Sequence, residues 1–148
     1  MAGARFEFQD KAVRKRLKKF INRAGDMTPA LKSFGEHMVN VTETRFKGEK
    51  APSGAPWQPL KPATRRSKKK NKDKILTEYG RLRRSIIYRA KDQKMAYGTN
   101  KKYGAIHQFG GKAGRNRAAD IPARPYLGIN SDDQAEWYQI LRDYLEEA

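Results

Sequence analysis

Four prolines within eleven residues, Pro52, Pro56, Pro59 and Pro62, set the terms on which this chain can fold. Each locks its own φ and removes a backbone donor, and each disfavours helix at the residue before it. Together with Gly54 they forbid regular structure at the start of the segment Glu49 to Lys74. That segment ends in Arg65-Arg66-Ser67-Lys68-Lys69-Lys70-Asn71-Lys72-Asp73-Lys74, seven cations in ten residues, and no apolar residue lies between Ala63 and Ile75. A stretch of this kind cannot pack a core. In a compact domain a loop so long works as an arm or a binding loop. Trp57 and Leu60 stand out inside it as anchors, either to the domain's own surface or to a neighbour.

The flanking sequence is periodic. Val13, Leu17, Phe20, Ile21 and Ala24 share one face of a helix expected from about Gln9 to Ala24, opposite a strongly basic face. Gly25-Asp26 breaks the pattern, and Thr28-Pro29 restarts it, with Thr as cap and Pro in the first helical turn. Leu31, Phe34, Met38, Val41 and Arg45 then follow at spacings of three and four, toward a stop near Gly48. Two amphipathic helices on so short a link predict an antiparallel hairpin.

Beyond the arm, Thr77 is a candidate cap for a short helix through Leu82. Ser85–Ala90 and Lys94–Thr99, separated by Lys91-Asp92-Gln93, predict a β-hairpin. Tyr103 to Phe109 reads as a short helix with Tyr103, Ile106 and Phe109 on one side, ended by Gly110-Gly111. Lys112 to Asp120 reads as a second polar loop, Ile121 to Pro125 as extended chain, and Tyr126–Ile129 as a third strand. Ser131 with Gln134 forms a capping-box start, and Trp137, Ile140, Leu141, Tyr144 and Leu145 give the last helix its apolar face. The expected class is α+β: a small antiparallel sheet packed with an N-terminal helical hairpin and a C-terminal helix. Residues 1–148 are expected as one domain, with 49–74 and 112–120 as extended basic loops.

Charge narrows the partners. The 33 Lys and Arg against 16 Asp and Glu leave +17, divided as +4 up to Thr44, +18 from Arg45 to Arg124, and −5 from Pro125 onward. Such a field favours polyanions or acidic protein surfaces. The residues expected to contact DNA or an acidic partner are Arg65, Arg66, Lys68, Lys69, Lys70, Lys72 and Lys74 in the first loop. Lys112, Arg115 and Arg117 join them from the second. The run contains no aromatic residue, so contact would be with phosphates and blind to base sequence. Asp132, Asp133, Glu136 and Asp143 mark the acidic last helix as a candidate interface with another subunit or protein.

Catalytic chemistry has little support. There is no cysteine, and the two histidines, His37 and His107, lie far apart with no second ligand near either. Gly110-Gly111-Lys112 lacks the earlier glycine of a phosphate loop, because Ile106 holds that position. No catalytic, cofactor-binding or metal residue is assigned. No apolar run approaches the ~20 residues of a membrane span, and Met1-Ala2-Gly3-Ala4-Arg5 lacks the apolar core of a secretory signal.

The order of motifs is more specific than any one of them. Pro56-Trp57-Gln58-Pro59-Leu60 precedes Ile75-Leu76-Thr77-Glu78-Tyr79-Gly80-Arg81-Leu82-Arg83-Arg84-Ser85-Ile86, then Tyr97-Gly98-Thr99-Asn100. Tyr103-Gly104-Ala105-Ile106-His107-Gln108-Phe109-Gly110-Gly111 and Ile121-Pro122-Ala123-Arg124-Pro125-Tyr126-Leu127-Gly128 complete the series. This succession, from about Phe8 onward, resembles the phage virion morphogenesis family of tail-completion proteins from tailed phages and Mu-like prophages. Tyr79 stands where Thr is common and Tyr126 where Phe is common, and the lysine-rich spacer is heavier than usual.

The resemblance implies a structural virion protein of the head–tail junction, assembled in the host cytoplasm, not an enzyme. It implies a homohexameric ring with tail tube or terminator and head–tail connector proteins as partners, and no cofactor. Six copies would carry 6 × 17, or +102, so their neighbours must be acidic or be genomic double-stranded DNA. In such a ring the acidic last helix would face the basic middle of the adjacent subunit. The rival expectation, from charge alone, is a free-standing, sequence-nonspecific nucleic-acid-binding protein.

Overall fold

A computed structural model describes residues 11–147. Helix α1 spans Lys11–Ala24 and α2 spans Thr28–Gly48. The start expected at Gln9 lies outside the described residues. Thr28 does not cap α2: it is the first helical residue, after Met27, and its amide donates to Asp26 Oδ1, two residues earlier, at 3.1 Å. The helix ends in Glu49 at φ 54°, whose amide returns to the Arg45 carbonyl.

Helix α2 is the central support. It buries Ala30, Phe34, Met38, Thr42, Arg45 and Phe46 along one side. The chain next forms the short helices α3, Pro62–Ser67, and α4, Arg81–Arg84. Strands β1, Ile87–Lys91, and β2, Lys94–Gly98, pair antiparallel with Lys91 opposite Lys94. Their two-residue turn, Asp92-Gln93, has φ of 53° and 60°, the left-handed pair that a type I′ turn requires. Both strands lie on α2. The approach is close enough that a Cβ on Gly35 would sit 2.3 Å from the Tyr88 ring.

Helix α5, Gly104–Phe109, is followed by β3, Gly111–Ala113, a 3₁₀ turn at Arg115–Arg117, and β4, Ala119–Ile121. The last helix, α6, is Ser131–Glu146. Each pair of strands is its own two-stranded antiparallel sheet.

The core assembles Phe46, Trp57, Ile75, Leu82, Ile86 and Tyr126. Phe46 stands edge-on to Trp57, with centroids 5.5 Å apart, and tilts against Tyr126 at 5.4 Å. The indole N–H of Trp57 donates to the Pro125 carbonyl at 2.7 Å, so its polar atom is satisfied inside.

Several expectations are corrected. The arm is not without regular structure, because Pro62 sits in the first turn of α3, where its missing donor is harmless. Thr77 caps nothing, and the short helix begins after Gly80, at φ 71°. Residues 111–121 form a hairpin rather than a polar loop. Tyr126–Ile129 is not a strand: side chains, not a neighbouring strand, satisfy its backbone. The capping box of α6 pairs Asn130 with Asp133, one residue earlier than Ser131 with Gln134. Helix α1 buries nothing, and its main partner is α6 rather than α2. Phe109 is 78% exposed and packs no core.

Candidate functional site

Three polar clamps hold the surface in place. The first is Asp133, at the start of α6 and 2% exposed. It accepts from Arg45 Nη2 at 2.8 Å and the Asn130 amide at 3.0 Å, and lies 3.1 Å from His37 Nε2. Arg45 also donates to the carbonyls of Tyr126 and Gly128. One buried ion pair thus ties α2, α6 and the irregular 126–130 segment together. Such a pair stands only because nearly every donor and lone pair is used.

The second clamp is Gln108 on α5. Its carbonyl oxygen accepts from the amides of Tyr126 and Leu127, and its amide donates to the Leu127 carbonyl. The third is Arg124, which donates from Nε to Gln58 and from Nη2 to Pro59, at 2.8 and 3.1 Å. Arg124 therefore pins the proline-rich arm to the extended 122–125 segment. Burial lowers its pKa.

Between the arm and that segment lies a cleft of about 470 Å³. Leu60, Leu76, Leu82, Ile121 and Pro122 supply apolar walls, and Tyr79 and Tyr103 stand at its rim. His107 and Arg124 reach it from α5 and the extended chain. Burial, then the Arg124 charge, pulls the His107 pKa below its ordinary value. Its Nδ1 is buried without a hydrogen-bond partner among the described residues.

The expected contact residues separate into two kinds. Arg65 and Arg66 on α3, with Lys69, Lys70, Lys72 and Lys74 after it, are exposed. Lys68 is not equivalent to them. Its ammonium donates to the carbonyls of Asn71, Lys74 and Thr77, closing the loop on itself. Burial lowers its pKa, against the opposing pull of Glu78, Asp73 and Glu49. Glu78 accepts from the Lys69 amide and Glu49 from the Ile75 amide, so internal acids order this basic segment. Lys112, Arg115 and Arg117 are exposed on the β3–β4 hairpin, where Lys112 lies 3.6 Å from Asp120. The cleft brings the two excursions together, since Lys61, Thr64 and Lys68 line one side and Asp120 and Ile121 the other.

The interface candidates also divide. Trp57 and Asp133 are buried inside the protomer, and Leu60 is half-buried in the cleft wall. Trp57 anchors the arm to the domain's own surface. Asp132, Glu136 and Asp143 are exposed on α6. Among the described residues no group of three or more His, Cys, Asp or Glu side chains is placed to hold a metal ion. No described helix is long and apolar enough to cross a membrane.

The sequence offers Gln108 as a residue that satisfies buried backbone groups, which its bonds to Tyr126 and Leu127 bear out, but it leaves the Arg45–Asp133 and Arg124 clamps unassigned. Arg45 was visible as a cation on the apolar stripe of α2, a position that demands a buried partner. Nothing local identified that partner as Asp133, 88 residues away.

The sequence profile of the phage virion morphogenesis family matches residues 8–146. The chain belongs to this family. It is 42% identical over 71 residues to the Mu-like prophage FluMu G protein 2 of Haemophilus influenzae, a match covering 48% of this chain and 51% of that protein. It is 37% identical over 75 residues to "Putative capsid assembly protein G" of Escherichia phage Mu, over 50% of this chain and 48% of that one. The chain thus aligns with about half the length of each of these relatives. No solved structure matches it. The family is one of virion morphogenesis.

Proposed function

We propose that this protein completes the head-proximal end of a phage tail and takes part in head–tail joining, as one subunit of a ring around the DNA channel. The observation that carries the reading is membership of the virion morphogenesis family over nearly the whole chain. The surface suits the role. Exposed cations project from two excursions that flank one cleft, and the acids of α6 are exposed away from the cleft lining. In a ring, the cations can meet the phosphates of the leading genome end or the acidic surfaces of tail and connector proteins. The +17 charge of each copy requires such neighbours. The fold acts here as a single tail-completion domain in the virion, built in the host cytoplasm.

The test is electron microscopy of lysates from a phage whose copy of this gene carries an early stop. Filled heads beside unjoined or irregular tails, rescued by the supplied protein, are the expected result. Intact, infectious virions would overturn the reading. They would move the weight to a free-standing, nonspecific nucleic-acid binder, which the charge favours.

A further inference from the structure

Among the described residues, helix α1 is attached chiefly through one side. Phe20 and Arg23 are its partly covered side chains, and Arg23 donates to the Tyr144 carbonyl while lying 5.1 Å over the Tyr144 ring. Leu17 and Ile21, 53% and 70% exposed, turn an apolar stripe to solvent. Around that stripe the helix carries seven cations and no acid. Its partner must offer apolar surface beside negative charge. A second α1 cannot serve, because it would set two sets of seven cations against one another.

The chain itself displays the complement. Asp132, Glu136, Asp143 and Glu146 follow on α6 at spacings of four, seven and three, which at 3.6 residues per turn places them on one side, and Glu147 follows at the helix end. All five are exposed, opposite the face on which Trp137 meets Phe34. Tyr138, 61% exposed, supplies apolar surface beside them. Elsewhere Glu43, Glu49 and Glu78 already accept from Arg83, the Ile75 amide and the Lys69 amide.

We propose that the partner of α1 is a second copy of this chain, whose α6 receives the Leu17–Ile21 stripe beside Tyr138 and the α1 cations along its acidic side. The contact is heterologous: each copy uses α1 toward one neighbour and α6 toward the other, so it propagates into a ring or a filament. It deepens the ring reading above and rests on it.

Sedimentation of the purified full chain tests the contact. The wild-type chain is expected to associate with rising concentration, and less so at high salt. Leu17→Gln with Ile21→Gln, and separately Glu136→Lys with Asp143→Lys, are each expected to weaken association by about tenfold or more at unchanged circular dichroism. An equimolar mixture of the two variants retains one intact face of each kind and is expected to stop at a 1:1 pair. If the lysine variant fails to fold, Glu136→Gln with Asp143→Asn takes its place. A wild-type chain that stays monomeric overturns the contact, as do variants that associate like wild type or a mixture that does not pair. Monomers that instead co-sediment with phosphatidylglycerol vesicles through Leu17 and Ile21 overturn it in favour of a membrane surface. The lysate phenotype is measured independently, so joined virions without this gene would overturn the ring reading even where association in solution is seen.

Discussion

Asp133→Asn removes the charge that three elements share, leaving the Arg45 guanidinium buried without a full counterion. Breaking a buried pair in this way is expected to destabilise the fold by about 3–5 kcal/mol. The check is the urea midpoint, with the slope unchanged. His107 gives a second residue-scale prediction. Its folded pKa lies below the ordinary value, through burial first and Arg124 second. On acidification the unfolded chain therefore takes up this proton before the folded one. The corresponding stability is complete above about pH 6.5 and is lost as pH falls through the folded pKa. His107→Gln should remove that component, seen as a shallower fall in unfolding free energy from pH 7.5 to 5.5. Neither residue's environment was legible in the sequence. The pKa of His107 is depressed by burial and then by Arg124, seventeen positions away, and no local pattern shows either.

At the scale of elements, the basic arm is organised by one of its own cations. Lys68→Met leaves the carbonyls of Asn71, Lys74 and Thr77 without their shared donor. Limited trypsin digestion should then cut within residues 65–74 several-fold faster, with little change in global stability, because the segment opens locally. The sequence showed seven cations as interchangeable. Only the fold of the arm onto Glu49 and Glu78 separates Lys68 from the rest. The long helices were legible, as was the β1–β2 hairpin, because periodicity and turn chemistry act within a few residues. Helix α1 shows the limit of that signal. Its apolar stripe has the period of a core helix, yet Leu17 and Ile21 face water. Periodicity reports that a face wants cover, not which molecule covers it.

For the whole molecule, the field of +17 predicts salt-dependent, sequence-blind binding of duplex DNA by the isolated chain. Arg65→Ala with Arg66→Ala is expected to lower the slope of log K against log salt by about two, whereas Lys68→Ala leaves it unchanged. Fluorescence anisotropy with a labelled duplex at a series of salt concentrations measures both. A slope moved equally by all three positions would contradict the division between exposed and engaged cations.

By itself the sequence determined the α+β class, the positions of α2, α6 and the first hairpin, the division of charge, and, through the order of its motifs, the family. These depend on patterns read within one element or on motif order along the chain. The tertiary structure alone decided that Trp57 and Asp133 belong to the interior, that Arg45 and Arg124 clamp distant segments, and that two basic excursions flank one cleft. Those outcomes depend on which residues meet across tens of positions, where burial forces each polar atom to find a partner that no local pattern names.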